Sequence, residues 1–207
     1  MNNPFDELHE QERHWTLSDE GIEITYDADF LVDVDADRQF AALKTEIPWR
    51  RFQMSTPDGP RAVPRMISWH ADADLSYKYG VVTHAWQAWT PTLLEVRGLL
   101  EAKLGIYFNG VLANLYENER DSVSPHADDE RDMVDGAAIA SVSFGATREF
   151  VVRHMTNRNR YATHLEHGSL LVMSGDTQRV SRHSVPKAKR ACGPRINLTY
   201  RIARGSG

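Results

Sequence analysis

The sequence predicts an α+β fold, two helices in the first half and then a β-sandwich of jelly-roll type. Three observations carry this. Two stretches before Gly105 repeat apolar residues at three- and four-residue spacing, the stretches after it alternate apolar with polar residues, and turn residues separate those at short intervals. The 207 residues, 41% hydrophobic and 26% charged, are enough for one well-buried core. They show neither the bias of a disordered chain nor an apolar run that spans a bilayer.

Taken in order, residues 1–20 read as polar and loosely held. Ile22, Ile24 and Tyr26 alternate with Glu23 and Thr25, a short half-buried strand. Asp35 or Asp37 can cap a helix bearing Phe40, Leu43 and Ile47, which Pro48 stops. Thr90-Pro91 opens a second helix, with Leu93, Val96, Leu100 and Leu104 on one face and Gly105 as its end. Residues 111–116 (VLANLY) read as a strand, followed by a polar loop over 117–125. Ala140, Val142 and Phe144 alternate with Ser141 and Ser143, and a turn at 145–147 leads into REFVVRH. A basic loop over 155–168 precedes a strand at Ser169–Met173, closed by Gly175-Asp176. The last stretch alternates Ile196, Leu198, Tyr200 and Ile202 against Arg195, Asn197, Thr199 and Arg201.

The net charge of −5 is unevenly spread: residues 1–60 carry −9, 61–144 carry −5 and 145–207 carry +9. A basic face built by the last third is the footprint of a nucleic-acid binder, and pairing of those arginines with the acidic first third is the alternative. Arg148, Arg153, Arg158, Arg160, Lys187, Lys189 and Arg190 are the candidates for phosphate contacts, against a solvated basic rim. One cysteine, Cys192, excludes an internal disulfide and fits a reducing compartment. The first residues carry acids and no apolar stretch, so no secretory signal is expected. The expected location is cytoplasmic, or nuclear in a eukaryote, with no membrane partner.

The informative residues are His126 and Asp128. In extended chain, side chains two apart share a face, so H-x-D on a strand end presents an imidazole and a carboxylate together. His183 is the strongest candidate for a third ligand. Two histidines and one carboxylate on a facial triangle suit non-haem Fe(II), leaving open positions for oxygen chemistry. The same residues also read as polar positions in an acid-rich loop, and the donor set also suits Zn(II) in a hydrolase. The last strand bears on this choice. Arg195, Asn197, Thr199 and Arg201 share one face, and two arginines facing inward in a small barrel are expensive unless an anion is bound there. A dicarboxylate would satisfy both guanidinium groups, and 2-oxoglutarate would also chelate iron through its keto oxygen and one carboxylate. A solvent-facing polar edge is the alternative for that strand.

The set NLY at 114–116, HADDE at 126–130, ASVSFGATREFVVRH at 140–154, His183 and RINLTYR at 195–201 resembles the AlkB-type nucleic-acid demethylases, and most the branch that repairs duplex DNA. The match runs from about Pro64 to Arg201. It implies a double-stranded β-helix (jelly roll) with supporting N-terminal helices and a nucleotide-recognition lid. The whole of 1–207 is then one dioxygenase domain: 1–60 an N-terminal extension and first helix, 61–90 the lid, 105–203 the jelly-roll core. The resemblance implies Fe(II), 2-oxoglutarate and O2 as cofactors, with His126, Asp128 and His183 holding the iron. Arg195 would meet the distal carboxylate of 2-oxoglutarate with Tyr116 and Thr199. Arg201 and Asn114 would serve the end beside the iron, and Asn197 would line the same wall. Asp129 falls where the family contacts the damaged base.

The segment PRMISWHADADLSYKYG resembles the family's nucleotide-recognition lid, which puts Tyr77 and Tyr79 where aromatic or polar residues line the base pocket. An enzyme that takes a base out of the stack recovers part of the lost energy on an aromatic ring, and ordinary strand packing is the alternative fate of these tyrosines. The implied activity is oxidative removal of N-methyl groups from bases in DNA, of the N1-methyladenine and N3-methylcytosine type, with formation of succinate and release of formaldehyde. RNA or a protein side chain as substrate, and a catalytically silent jelly-roll binding module, are the competing readings. A monomer is expected. Trp15, Trp49, Trp69, Trp86 and Trp89 read as packing residues, with Trp69 the candidate for stacking, and His154, His164 and His167 as surface or core histidines.

Overall fold

The computed structural model describes residues 12–204 apart from 32, 57–58, 74, 76, 80–81 and 85. The chain begins with a hairpin, β1 (His14–Asp19) and β2 (Ile22–Asp27), followed by α1 (Asp33–Glu46). Two small hairpins come next, β3 (Gln53–Thr56) with β4 (Gly59–Ala62), and β6 (Tyr77–Tyr79) with β7 (Val82–His84), separated by β5 (Met66–Ala71). After α2 (Pro91–Leu104) come β8 (Gly110–Tyr116), β9 (Val123–His126), β10 (Ile139–Gly145), β11 (Arg148–His154), β12 (Arg160–Leu165) and β13 (Leu170–Gly175). A single helical turn, α3 (Thr177–Val180), leads to β14 (Ser181–Val185) and the last strand, β15 (Arg195–Arg201).

The large sheet has the order β1-β2-β13-β10-β15-β8-β5 and the small one β12-β11-β14-β9. Every pairing in both is antiparallel. The two sheets make a jelly roll. Strand alternation divides the large sheet's residues between two cores. Ile196, Leu198 and Tyr200 of β15, with Val111, Ala113 and Leu115 of β8 and Ala140, Val142 and Phe144 of β10, face the helices and pack on Leu43, Leu93, Val96 and Leu100. The opposite face looks into the sandwich, where Tyr26, Ile139, Leu171 and Met173 meet Phe150, Val152 and Val185 of the small sheet. The odd-numbered polar residues of β15 point into that same interior.

Local sequence explains the helix over the large sheet. The Thr90 side chain accepts from the Leu93 N–H, Pro91 occupies the first turn, and Gly105 ends the helix at φ +67°, its N–H donating to the Glu101 carbonyl. The Tyr200 hydroxyl then donates to the Leu93 carbonyl at 2.7 Å, tying helix to sheet. Gly110 is required for a different reason: a Cβ there would lie 2.4 Å from Trp69 Cη2. Among the described residues no helix is long and apolar enough to cross a membrane.

Four expectations change. The polar loop over 117–125 ends in β9, because Val123 buries its side chain opposite Val185 while Ser124 and Pro125 stay exposed. Residues 14–19, read as loose, form β1, because Leu17 pairs with Ile24 and buries its side chain while the remaining positions stay half in water. The basic loop over 155–168 contains β12, an edge strand whose partial exposure on both faces removes the alternation that marks a strand. The first helix starts at Asp33, so Asp35 and Asp37 fall inside its first turns, where carboxylates favour the helix dipole.

Candidate metal and anion site

His126 ends β9 and His183 lies in the middle of β14, directly opposite in register. Their rings are 4.3 Å apart between centroids. Asp128 follows His126 by two residues, and the chain stays extended enough to bring its carboxylate beside both rings. Asp128 Oδ1 lies 3.5 Å from His126 Nε2 and Oδ2 lies 3.6 Å from His183 Nε2. All three ligand atoms fall within 4.8 Å of one another. Donors about 2.0–2.2 Å from one ion sit some 3 Å apart when adjacent, so this triangle accepts a divalent cation with little movement. His126 Nδ1 donates to the Ser124 carbonyl at 2.9 Å, which leaves the lone pair on Nε2, facing Asp128. The Asp128 N–H donates to Gln178 Oε1 at 2.9 Å, so α3 orients the ligand loop.

The electrostatics favour the ligating forms. Burial pushes His183 down to about 4, so its imidazole is neutral at pH 7. Burial pushes the Asp128 carboxyl up, but Arg201, His183 and His126 together outweigh it and hold the group well below the usual carboxylate range. The carboxylate is therefore ionised before any cation arrives.

The inward face of β15 forms a second zone beside this triangle. Arg195 is 1% exposed, and its Nη2 donates to Ser143 Oγ at 2.9 Å while Nε and Nη1 make no hydrogen bond. Burial lowers its pKa, with partial relief from Tyr116, whose ring centre is 5.1 Å from the guanidinium carbon. Thr199 Oγ1 donates to Asn197 Oδ1, and Asn197 Nδ2 donates to Ser141 Oγ at 2.7 Å. Asn114 Oδ1 accepts from Arg65 Nε at 2.7 Å. Arg201 bridges Asp128 and Glu130. One cleft is lined by the His126, Asp128 and His183 triangle together with Asn114, Tyr116, Arg195, Asn197, Thr199 and Arg201. A buried guanidinium with two unsatisfied nitrogens, beside a cation triangle, fits an anionic ligand that also reaches the metal.

Other sequence candidates fall elsewhere. Arg148 is not a phosphate contact: it is 2% exposed and donates to the carbonyls of Asp121 and Pro186 at 2.8 and 2.6 Å. It opens β11, and the alternation of that strand carries it to the buried side with Phe150 and Val152. Trp69 is no stacking platform, being 1% exposed with its indole N–H donating to the Leu75 carbonyl. Asp129 is exposed, its carboxylate 3.7 Å from Arg182. Tyr77 and Tyr79 pair through β6 with His84 and Val82. Their side chains lie outside the described ones. His154 accepts from the N–H groups of Thr156 and Asn157, and His167 from that of Gly145.

The sequence reading missed Arg65 and Gln178. Arg65 had a legible signal, since it falls in the same alternation as Ile67, Trp69 and Ala71, an arginine at an inward position beside a strand. Gln178 had none, because its part depends on a helical turn fifty residues from the aspartate it serves.

Comparison with known proteins bears on this geometry. The profile of the 2OG-Fe(II) oxygenase superfamily matches residues 23–201. The human DNA oxidative demethylase ALKBH2 is 35% identical over 193 residues, covering 88% of this chain and 74% of that protein. The bovine alpha-ketoglutarate-dependent dioxygenase alkB homolog 3 is 38% identical, covering 81% of this chain and 61% of its own length. The bovine DNA oxidative demethylase ALKBH2 is 39% identical, covering 68% and 53%. The chain thus spans less than two thirds of the length of these bovine relatives. Among solved structures, OsALKBH1 superposes with a TM-score of 0.61 at 16% identity, covering 86% of this chain and 97% of that one, a likeness of fold.

Proposed function

The chain belongs to the 2OG-Fe(II) oxygenase superfamily, in its AlkB-type branch, and from that premise we propose that it oxidatively removes N-alkyl groups from bases in DNA. The observation that carries this is the joining of two demands in one cleft: a His-Asp-His triangle for a cation and, beside it, buried Arg195 with two nitrogens lacking a partner. A hydrolytic zinc site has no use for the second. Fe(II), with 2-oxoglutarate and O2, would supply the oxidising power that hydroxylates an N-methyl carbon, succinate and CO2 leaving with formaldehyde as products.

The chain's own residues do the rest. His126, Asp128 and His183 would hold the cation. Arg195 forks onto the distal carboxylate of 2-oxoglutarate, with Tyr116 and Thr199 beside it. Asn114, held by Arg65, and Asn197 line the wall, and Arg201 sets the orientation of Asp128 at the near end. The apolar flank of Phe150, Met173 and Val185 keeps bulk water from the cleft.

For the substrate, Asp129 is assigned to the damaged base and Tyr77 and Tyr79 to the base pocket. N1-methyladenine and N3-methylcytosine carry a positive ring, so a carboxylate at about 4 Å favours the lesion over the neutral base by about 1–4 kcal/mol. Arg153 opposes Arg160 on one side and Arg182 on the other, a row of three arginines across β12, β11 and β14. Glu149 pairs with Arg160 at 2.9 Å and Asp129 lies 3.7 Å from Arg182, and a phosphate backbone lying over the row would add a partner for Arg153 at its centre. Lys187, Lys189 and Arg190 are exposed as well, after the end of β14. RNA is the alternative nucleic acid, and the protein acts as a monomer in the cytoplasm or nucleus.

The test is direct. Protein loaded anaerobically with Fe(II) is given 2-oxoglutarate, air and methylated DNA or RNA oligonucleotides, and the products are weighed. Loss of one CH2 from DNA, with matching succinate, is the expected result. Turnover of RNA alone, or base release without succinate, overturns the proposal.

A further inference from the structure

Arg148 presents a charge that no carboxylate among the described residues neutralises. Its guanidinium is buried, its three acceptors are the carbonyls of Asn118, Asp121 and Pro186, and its Nε has no partner. The carboxylate of Asp121 is engaged elsewhere, by Arg51 and by the Glu117 N–H. Arg195 also has no carboxylate partner among the described residues: its Nη2 donates to the Ser143 hydroxyl, and its Nε and Nη1 make no hydrogen bond. The ring of Tyr116 is in range of both, 5.5 Å from the guanidinium carbon of Arg148 and 5.1 Å from that of Arg195. Two buried cations flanking one aromatic ring repel each other, and burying such charges without an anion is costly.

We propose that Arg148 is a positioning residue of the cosubstrate pocket: it fixes the ring of Tyr116 and adds a second positive charge behind Arg195, so that the pocket selects a ligand with a distal carboxylate. This rests on the reading of the cleft as a 2-oxoglutarate site. The carbonyl cradle is what makes the placement rigid. Segments 118–121 and 186 converge on one planar fork, and a lysine, with a single point charge, could not hold all three carbonyls in that geometry.

A purely structural Arg148 would weaken the fold without changing which anion binds. Oxalate separates the two cases, because it chelates a metal through its two carboxylates and has no distal one. The full chain is loaded with Mn(II), and 2-oxoglutarate and oxalate are titrated by calorimetry. Arg148→Lys should weaken 2-oxoglutarate by about tenfold and leave oxalate within about twofold. Arg148→Met, which keeps the stem but leaves three carbonyls without their donor, should melt lower and still show the same split in the folded protein. In a Tyr116→Leu background the further loss from Arg148→Lys should shrink to about twofold or less. Equal loss of both anions, unchanged 2-oxoglutarate binding, or a full tenfold loss without the tyrosine overturns the inference. A parent protein that binds Mn(II) and oxalate but not 2-oxoglutarate overturns the cosubstrate reading itself, and the role of Arg148 with it.

Discussion

Asp128 and Arg201 meet inside the jelly roll, Arg201 Nη2 donating to Asp128 Oδ1 at 2.7 Å with the two side chains 2% and 3% exposed. One comes from the loop after β9 on the small sheet and the other from the end of β15 on the large one. This pair joins the cation triangle to the anion pocket. It also keeps a buried carboxylate ionised without a metal.

The pair predicts how metal and fold are linked. Arg201→Gln leaves Asp128 as a buried charge with a weaker partner, and removing one member of such a pair costs about 3–5 kcal/mol. A divalent cation restores the missing positive charge. The variant should therefore melt well below the parent without metal, and Mn(II) should raise its Tm by more than it raises the parent's. Equal Mn(II)-induced shifts in the two proteins would show that Arg201 does not support Asp128.

Arg195 predicts the opposite sign. Its guanidinium is buried with two unsatisfied nitrogens, so its charge is a burden on the ligand-free protein. Arg195→Met keeps most of the volume and removes the charge, and should stabilise the free protein by about 1–4 kcal/mol. The same change should abolish the rise in Tm that 2-oxoglutarate gives the Mn(II)-loaded parent. A variant that melts lower and still responds to 2-oxoglutarate would place the anion elsewhere.

The arginine row predicts a dependence on salt. A protein that neutralises one phosphate fewer has a slope of log K against log salt shallower by about one. Arg153→Ala, at the centre of the row, should weaken binding of DNA oligonucleotides of any sequence and reduce the slope by about that amount. It should leave 2-oxoglutarate affinity alone, since Arg153 is exposed on the outer face of the small sheet. An unchanged slope would remove the row from the DNA path.

How much of this was legible in the chain depends on how local the cause is. The boundaries of α2 follow from Thr90, Pro91 and Gly105 and are readable because capping is settled within a few residues. The inward row on β15 is readable because alternation has period two, and a polar row opposite an apolar one can only mean an interior ligand or a wet edge. Arg148 is buried although its charge alone suggests a surface. Only the convergence of three carbonyls from distant segments reveals a buried cradle. β1, β9 and β12 are edge strands, held by their pairing partners rather than by patterns of their own.

Glu46 ends α1 and predicts a pH dependence away from the site. Its carboxylate accepts from the Thr92 N–H at 3.1 Å and from Thr92 Oγ1 at 2.8 Å, bracing the first turn of α2. Burial pushes its pKa up, but the hydrogen bonds from Thr90 and Thr92 outweigh it and hold the group below the ordinary value. A carboxyl depressed in the folded state binds its proton more readily when unfolded. Its contribution is thus complete above the unfolded value near 4.5 and disappears as the pH falls through the lower folded value. Glu46→Gln should cost about 0.5–1 kcal/mol at pH 7, a modest figure because solvent screens the site. The gap between parent and variant, measured by urea unfolding, should narrow steadily below about pH 4.5 as the parent's carboxylate is protonated. A gap that stays constant from pH 7 to pH 3 would mean that the charge of Glu46 does not hold the two helices together.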